Sequence, residues 1–277
     1  MTAASTAPAT ARTLEVPGAR LHYEVRGAGP LVLLAGAPMD AAPFAPLADL
    51  LAADHTVLTT DPRGVNRSRV QDPEQDSTPQ LRADDLSRLI GCLDAGPATV
   101  LGSSGGAVTA LALAQAHPGQ VSTIVAHEPP LLELLDDREQ QRAQTEDIIA
   151  THLAGDLTGA WAKFMAMAGI QLPDGAVEQM FGGDRDPQQV ADEHHWFTRE
   201  YRGTAQWQPD MAALRAAGAR IVVGIGETSA GQICDRTSRA LAAALGIEPA
   251  MFPGGHTGFV EDPPAFAARL RAVLQQA

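Results

Sequence analysis

The 277-residue sequence predicts an α/β protein, a mostly parallel sheet flanked by helices with a helical cap inserted into it. Three observations predict this class. Through the first half, short apolar runs alternate with segments of helical spacing, the mark of a parallel sheet covered on both faces. The alternation stops over residues 131–208, which carry no strand signal, and resumes afterwards. Between one apolar run and one alanine-rich helical stretch stands Gly102-Ser103-Ser104-Gly105-Gly106, a G-x-S-x-G in strand–turn–helix context.

The elements follow in order. Residues 1–12 are rich in Ala, Thr, Ser and Pro and lack the apolar core of a signal peptide, so they predict a disordered tail. Residues 13–16 and 21–26 alternate polar and apolar around Pro17-Gly18 and predict a hairpin. Residues 31–34 are wholly apolar, as a central parallel strand requires. A helix is expected over 44–53 and a strand over 56–60, ending in Asp61-Pro62-Arg63-Gly64. Residues 78–93 have helical spacing, with Asp84, Asp85 and Arg88 on the outer face. The strand at 98–101, a helix to about 116 and a strand at 121–126 complete the first block. The cap at 131–208 is read as consecutive helices punctuated by Pro173, Gly182-Gly183 and Pro187. Strands return at 220–226 and 248–252, and the last helix opens at Asp262-Pro263-Pro264, an N-cap followed by proline in the first turn. Residues 13–130 and 209–277 therefore form the core, and 131–208 the cap.

Composition narrows the function. A net charge of −13 argues against nucleic-acid backbones and anionic membranes as partners. No stretch approaches the roughly 18 uninterrupted apolar residues of a membrane span. Cys92 and Cys234 lie far apart without metal-ligand spacing and are expected to be ordinary buried thiols of a reducing compartment. A cytoplasmic protein follows, with no metal and no cofactor expected and a homodimer left open.

The chemistry centres on Ser104. A serine at the tip of a tight strand-to-helix turn needs glycines at −2 and +2, because neighbouring backbone leaves no room for Cβ atoms. The first turn of the following helix aims free N–H groups at the same point, where an oxyanion would be stabilised. His256, in Pro253-Gly254-Gly255-His256-Thr257-Gly258, follows the last strand on a loop able to reach Ser104 as general base. His194 and His195, adjacent in the cap, are read as surface residues. The acid has several candidates. The segment 222–229 carries Glu227 out of register and Ser229 where an aspartate is usual in this architecture, and Asp235 lies further on. Glu128 directly ends an apolar strand in His127-Glu128-Pro129-Pro130, a costly place for a charge unless it is paired. Glu128 is the favoured candidate. The backbone N–H groups of Gly105 and Ala37 are the expected oxyanion donors, each worth about 3 kcal/mol at a transition state. Trp161, Trp196, Trp207, Phe164 and nearby methionines suggest an aromatic and thioether lining, and Trp196 is the chosen substrate contact.

With Asp61-Pro62-Arg63-Gly64, the G-x-S-x-G and Gly254-Gly255-His256 in place, the chain resembles the α/β-hydrolase fold superfamily over residues 13–275, the cap excepted. Within it, Ser103-Ser104-Gly105 and His127-Glu128-Pro129-Pro130 resemble the fungal zearalenone lactone hydrolases. Those carry a glutamate acid in a His-Glu-x-Pro segment 24 residues after the nucleophile, and 128 − 104 gives the same spacing here. The superfamily's common His-Gly after the third strand is replaced by Ala35-Gly36. The resemblance implies a serine hydrolase of a small apolar ester or lactone acting through Ser104, His256 and Glu128. A perhydrolase using peroxide in place of water, and a ligand receptor with weak turnover, are the other readings.

Overall fold

The computed structural model describes residues 9–275. Strands β1 (Thr10–Val16) and β2 (Ala19–Arg26) form the opening hairpin. Then come β3 (Leu31–Ala35), α1 (Ala45–Leu51), β4 (Thr56–Thr60), β5 (Arg69–Val70), α2 (Pro79–Leu93), β6 (Ala98–Ser103), α3 (Gly105–Ala116) and β7 (Val121–His127). Helices α4 (Arg138–Leu153), α5 (Leu157–Ala168), α6 (Ala176–Phe181) and α7 (Pro187–His195) follow without an intervening strand. A π turn, Trp196–Glu200, carries α7 into α8 (Tyr201–Ala205). The chain returns through α9 (Met211–Ala216) to β8 (Arg220–Gly226), α10 (Ile233–Leu245), β9 (Ala250–Phe252), α11 (Gly258–Glu261) and α12 (Pro263–Gln275).

The sheet order is β1-β2-β4-β3-β6-β7-β8-β9, with β5 on β2. Strands from β4 across to β9 are parallel, and β2 pairs antiparallel with β1, β4 and β5. Strand β3 shows why the sheet needs helices on both sides. Leu31, Leu33 and Ala35 enter the core shared with α2 and α3, while Val32 and Leu34 enter the core shared with α1 and α12. Burial of each such Val or Leu side chain contributes about 1.5–3 kcal/mol. A third apolar cluster lies mainly in the helical insertion and includes Trp161, Trp196, Phe197 and Tyr201, and from α10 also Ile233 and Cys234. Among the described residues, no helix is long and apolar enough to cross a membrane.

Several expectations change. Thr10, Ala11 and Arg12 are not tail but strand, because they pair with Val25, Glu24 and Tyr23 of β2. Residues 1–8 lie outside the described residues. Asp85 does not face outward: it is buried on α2, held by both Nε and Nη2 of Arg63 at 2.7 and 2.6 Å. Cys92 is exposed and only Cys234 is buried. Helix α10 supplies half of the β8–β9 crossover that the strand signals alone left open.

Candidate active site

Ser104 stands between β6 and α3 with φ 56° and ψ −127°. A non-glycine residue at positive φ costs about 1–3 kcal/mol and persists only where the surroundings fix it. Here its N–H donates to the carbonyl of His127 on the neighbouring strand at 2.9 Å. The flanking glycines are obligatory. A Cβ on Gly102 would collide with the carbonyl oxygen of Gly106, and one on Gly106 with that of Ala35. Ser104 makes no side-chain cap bond to its own helix. Strand order reverses at this place: from β3 the chain moves out to β4, then back to β6 on the other side. Ligands of open α/β sheets bind in the crevice at such a switch point.

Glu128 is brought to the same level by register. Ser103 pairs with His127, so Ser104 and Glu128 leave adjacent strands together. Glu128 is also at positive φ, 52°, and its N–H donates to the carbonyl of Gly224 at 3.0 Å. Its carboxylate is fully engaged. Oε1 accepts from the N–H of Gly226 at 2.8 Å, and Oε2 accepts from His256 Nδ1 at 2.6 Å. The Glu128 side chain is wholly buried, whereas that of His256 is 24% exposed. A carboxylate can only accept, so the proton of this bond sits on Nδ1, which in the neutral imidazole leaves the lone pair on Nε2.

The electrostatics follow from this pairing. Burial alone would raise Glu128, yet the His256 hydrogen bond and charge outweigh it and hold the carboxyl at about 2. Burial alone would lower His256, but the Cys234 sulfur and the Glu128 carboxylate overcome it and raise the imidazole above its ordinary 6.5. The other carboxylates weighed from the sequence are elsewhere. Glu227 is exposed beyond the end of β8. Asp235 is occupied by the N–H of Gly231 and by Nε of Arg239. Ser229, at the position usual for an acid, is wholly buried beside Glu128 and contributes to lowering it, although its Oγ makes no hydrogen bond of normal geometry among the described residues.

Ala37 lies on the loop after β3, against Gly105: a Cβ on Gly105 would touch both Cβ and O of Ala37. Asp61 fixes this loop by accepting from the N–H of Ala41 at 3.0 Å. Neither Gly105 N–H nor Ala37 N–H has a hydrogen-bond acceptor among the described residues. Trp196 lies in the insertion, 5% exposed, stacked on Trp161 at 5.2 Å and packed against Phe164, Phe197 and Tyr201. Two cavities, one of about 20 Å³ beside Arg63 and Arg82 and a groove of about 450 Å³ beside Arg199 and Trp207, include neither Ser104 nor His256.

Four features were not anticipated. Cys234, the second residue of α10, places Sγ with donor atoms of Glu128 and His256, all within 4.8 Å of one another. His127 is wholly buried, shares a 3.2 Å hydrogen bond with Ser103 Oγ and meets Phe252, Phe259 and Phe266 edge-on. Burial lowers its imidazole to about 4, so it is neutral. Arg82 donates to Thr109 at 3.0 Å and to Thr204 at 2.8 Å, and Thr109 Oγ1 donates to the carbonyl of Gly105, so one guanidinium links the insertion to the nucleophile elbow, the β6–α3 turn that carries Ser104. Behind it, 3.7 Å away, Glu200 is buried with no hydrogen-bond partner for either oxygen among the described residues. Finally, His194 is exposed but His195 is not: it is buried over Gly64, whose missing side chain makes the room. Adjacent helical residues point about 100° apart, which separates the two.

Comparison with known proteins agrees with this architecture. The family model for the alpha/beta hydrolase fold matches residues 29–158. An uncharacterized hydrolase of Bacillus subtilis (strain 168), YraK, is 34% identical over 274 residues, covering 95% of this chain and 96% of that protein. A zearalenone hydrolase of Bionectria ochroleuca is 26% identical over 270 residues, covering 93% and 95%. Among solved structures, the enol-lactonase of Burkholderia xenovorans LB400 superposes with a TM-score of 0.71 at 17% identity, covering 96% of this chain and all of that one, a likeness of fold.

Proposed function

The chain belongs to the alpha/beta hydrolase fold family and is a hydrolase, and from that premise we propose that it cleaves a carboxylic ester or lactone through Ser104, His256 and Glu128. The observation that carries the reading is the 2.6 Å bond from His256 Nδ1 to Glu128 Oε2, with Glu128 leaving β7 level with the strained Ser104 at the end of β6. In the proposed reaction Ser104 Oγ attacks the carbonyl carbon and its proton passes to Nε2 of His256. Glu128 holds the imidazole in the tautomer that can accept it. The N–H groups of Gly105 and Ala37 bind the tetrahedral oxyanion. Collapse returns the proton to the leaving alkoxide and leaves an acyl group on Ser104. Water, deprotonated by the same imidazole, then releases the acid. In a lactone the alkoxide and the acid remain parts of one product.

An apolar substrate is supported by the insertion's aromatic cluster, which is continuous with Ile233 and Cys234 beside His256. We place Trp196 in the wall that the bulky side of such a substrate meets. The 26% identical relative, named for zearalenone, adds weight to the lactone class. The test is a panel of p-nitrophenyl esters and macrolactones under pre-steady-state conditions. A burst of alcohol or phenol release, followed by a slower steady rate, is expected of an acyl-enzyme. Turnover of the whole panel no faster than the Ser104→Ala variant would overturn the reading.

A further inference from the structure

We propose that Glu128, Cys234 and His256 form an inhibitory binding site for a thiophilic divalent cation, with Zn²⁺ as the fitting ion. The three donors come from three separate elements: the end of β7, the first turn of α10 and the loop after β9. This is why no spacing in the sequence signals them. They supply one sulfur, one imidazole nitrogen and one carboxylate oxygen, a set that suits Zn²⁺ and other borderline-soft ions. With Zn–S near 2.3 Å and Zn–N or Zn–O near 2.1 Å, a tetrahedral ion needs its ligands about 3.4–3.6 Å apart. Here all three donors already lie within 4.8 Å, and Nδ1 and Oε2 are 2.6 Å apart. The His–Glu pair must open by about 1 Å and the sulfur approach by about 1 Å, side-chain adjustments within the reach of a cysteine and an imidazole. Cys234 is a free thiol, and of the three side chains that of His256 is partly exposed, at 24%.

The consequence for catalysis rests on His256 being the base, as proposed above. The ion takes the Nδ1 position and displaces the proton that Glu128 holds there. A neutral imidazole bound through Nδ1 carries its one proton on Nε2. It then has no lone pair for the Ser104 proton, and acyl transfer stops without the ion touching the substrate. The proton displaced from Nδ1 is thus retained by the ring as the one on Nε2, while the thiol gives up its proton to solvent, so binding tightens as pH rises.

The experiment uses the full chain, freed of metal, titrated with Cd²⁺ and with Zn²⁺. Cd²⁺ reports ligation by the ultraviolet thiolate-to-metal charge-transfer band, and Zn²⁺ inhibition is read on a p-nitrophenyl ester. Each variant is scored against its own metal-free rate. The wild type is expected to bind one Cd²⁺ with the band, and to lose turnover in Zn²⁺ with recovery on EDTA. Cys234→Ala should lose the band, and its half-inhibiting Zn²⁺ should rise at least about tenfold, since even an outer-shell change costs about 10–100-fold in affinity. Cys92→Ala, which removes the exposed thiol, should behave as wild type. A band that survives Cys234→Ala, or vanishes with Cys92→Ala, overturns the site. A Cys234-dependent band without inhibition overturns the inhibitory role. If the unmetallated enzyme shows no ester turnover at all, the hydrolytic reading fails on its own, while the Cd²⁺ band still decides the site.

Discussion

Replacing Glu128 by Gln tests the orientation of His256 with little change of shape. The substitution keeps an oxygen able to accept from the N–H of Gly226, now at 2.8 Å from Oε1. It replaces the Oε2 acceptor, 2.6 Å from His256 Nδ1, by an amide that donates. Two effects add. The imidazolium formed during attack loses a buried carboxylate, and at an effective dielectric near 20 a charge about 4 Å away contributes about 4 kcal/mol. The amide also favours the lone pair on Nδ1 and the proton on Nε2, the tautomer that cannot accept from Ser104. Together they predict a fall in kcat of about 10³–10⁴-fold, or about 4–6 kcal/mol at about 1.4 kcal/mol per tenfold. The assay is steady-state hydrolysis of a p-nitrophenyl ester, with circular dichroism confirming the fold. Glu227→Gln should stay within a factor of about 3, because that side chain is exposed and it is Glu128 that bonds His256. If Glu128→Gln kept a tenth or more of wild-type kcat while Glu227→Gln or Asp235→Asn lost it, the assignment of the acid would be refuted.

The remaining predictions share the same geometry. His256 must be unprotonated to act as base and its imidazole is raised by Cys234 and Glu128, so kcat/KM should climb with pH through a midpoint above the ordinary 6.5. In Glu128→Gln that midpoint should fall, and an unchanged midpoint would detach Glu128 from His256. Arg82→Met leaves Glu200 buried without its cation and should cost about 3–5 kcal/mol in urea unfolding; a loss under 1 kcal/mol would show that water reaches Glu200. Burial raises the Glu200 carboxyl above its ordinary 4.5, so native stability from this group is fullest below that value and declines as pH rises through the raised one. Glu200→Gln should flatten this decline, read as urea-unfolding stability across pH; a decline that survives the substitution would assign it to another group. Trp196→Ala should cost about 3–5 kcal/mol, as truncation of a buried aromatic does, and the milder Trp196→Phe should slow a bulky lactone more than a small acetate ester. Equal losses on both substrates would make Trp196 structural only.

Much of the fold was legible because its signals are local. Apolar runs bounded by turns place β3 and β8 almost to the residue, since the stretch of a strand buried on both faces admits little else. The elbow was legible because its two glycines answer steric needs that no other residue meets. Glu128 stood out as a charge at the end of an apolar strand, and the structure places it, rather than Glu227 or Asp235, against His256. What sequence could not supply is contact between distant elements. Helical spacing puts Asp85 on an outer face, and adjacency to His194 marks His195 as a surface residue, yet the partner Arg63 and the gap at Gly64 lie on another segment. Cys234 meets His256 only because α10 packs beside the β9 loop. The extra strand residues 10–12 are held by cross-strand pairing with β2, which local composition does not report.

The most direct measurement is covalent labelling of the full chain with a fluorophosphonate, followed by intact-mass and peptide analysis. An activated serine attacks phosphorus as it would a carbonyl, and the adduct imitates the tetrahedral oxyanion. One adduct per chain is expected, on Ser104, with labelling abolished in Ser104→Ala, slowed by orders of magnitude in Glu128→Gln and little changed in Cys92→Ala. An adduct on Ser103, or no adduct at all on a folded chain, would contradict Ser104 as the nucleophile that His256 and Glu128 serve.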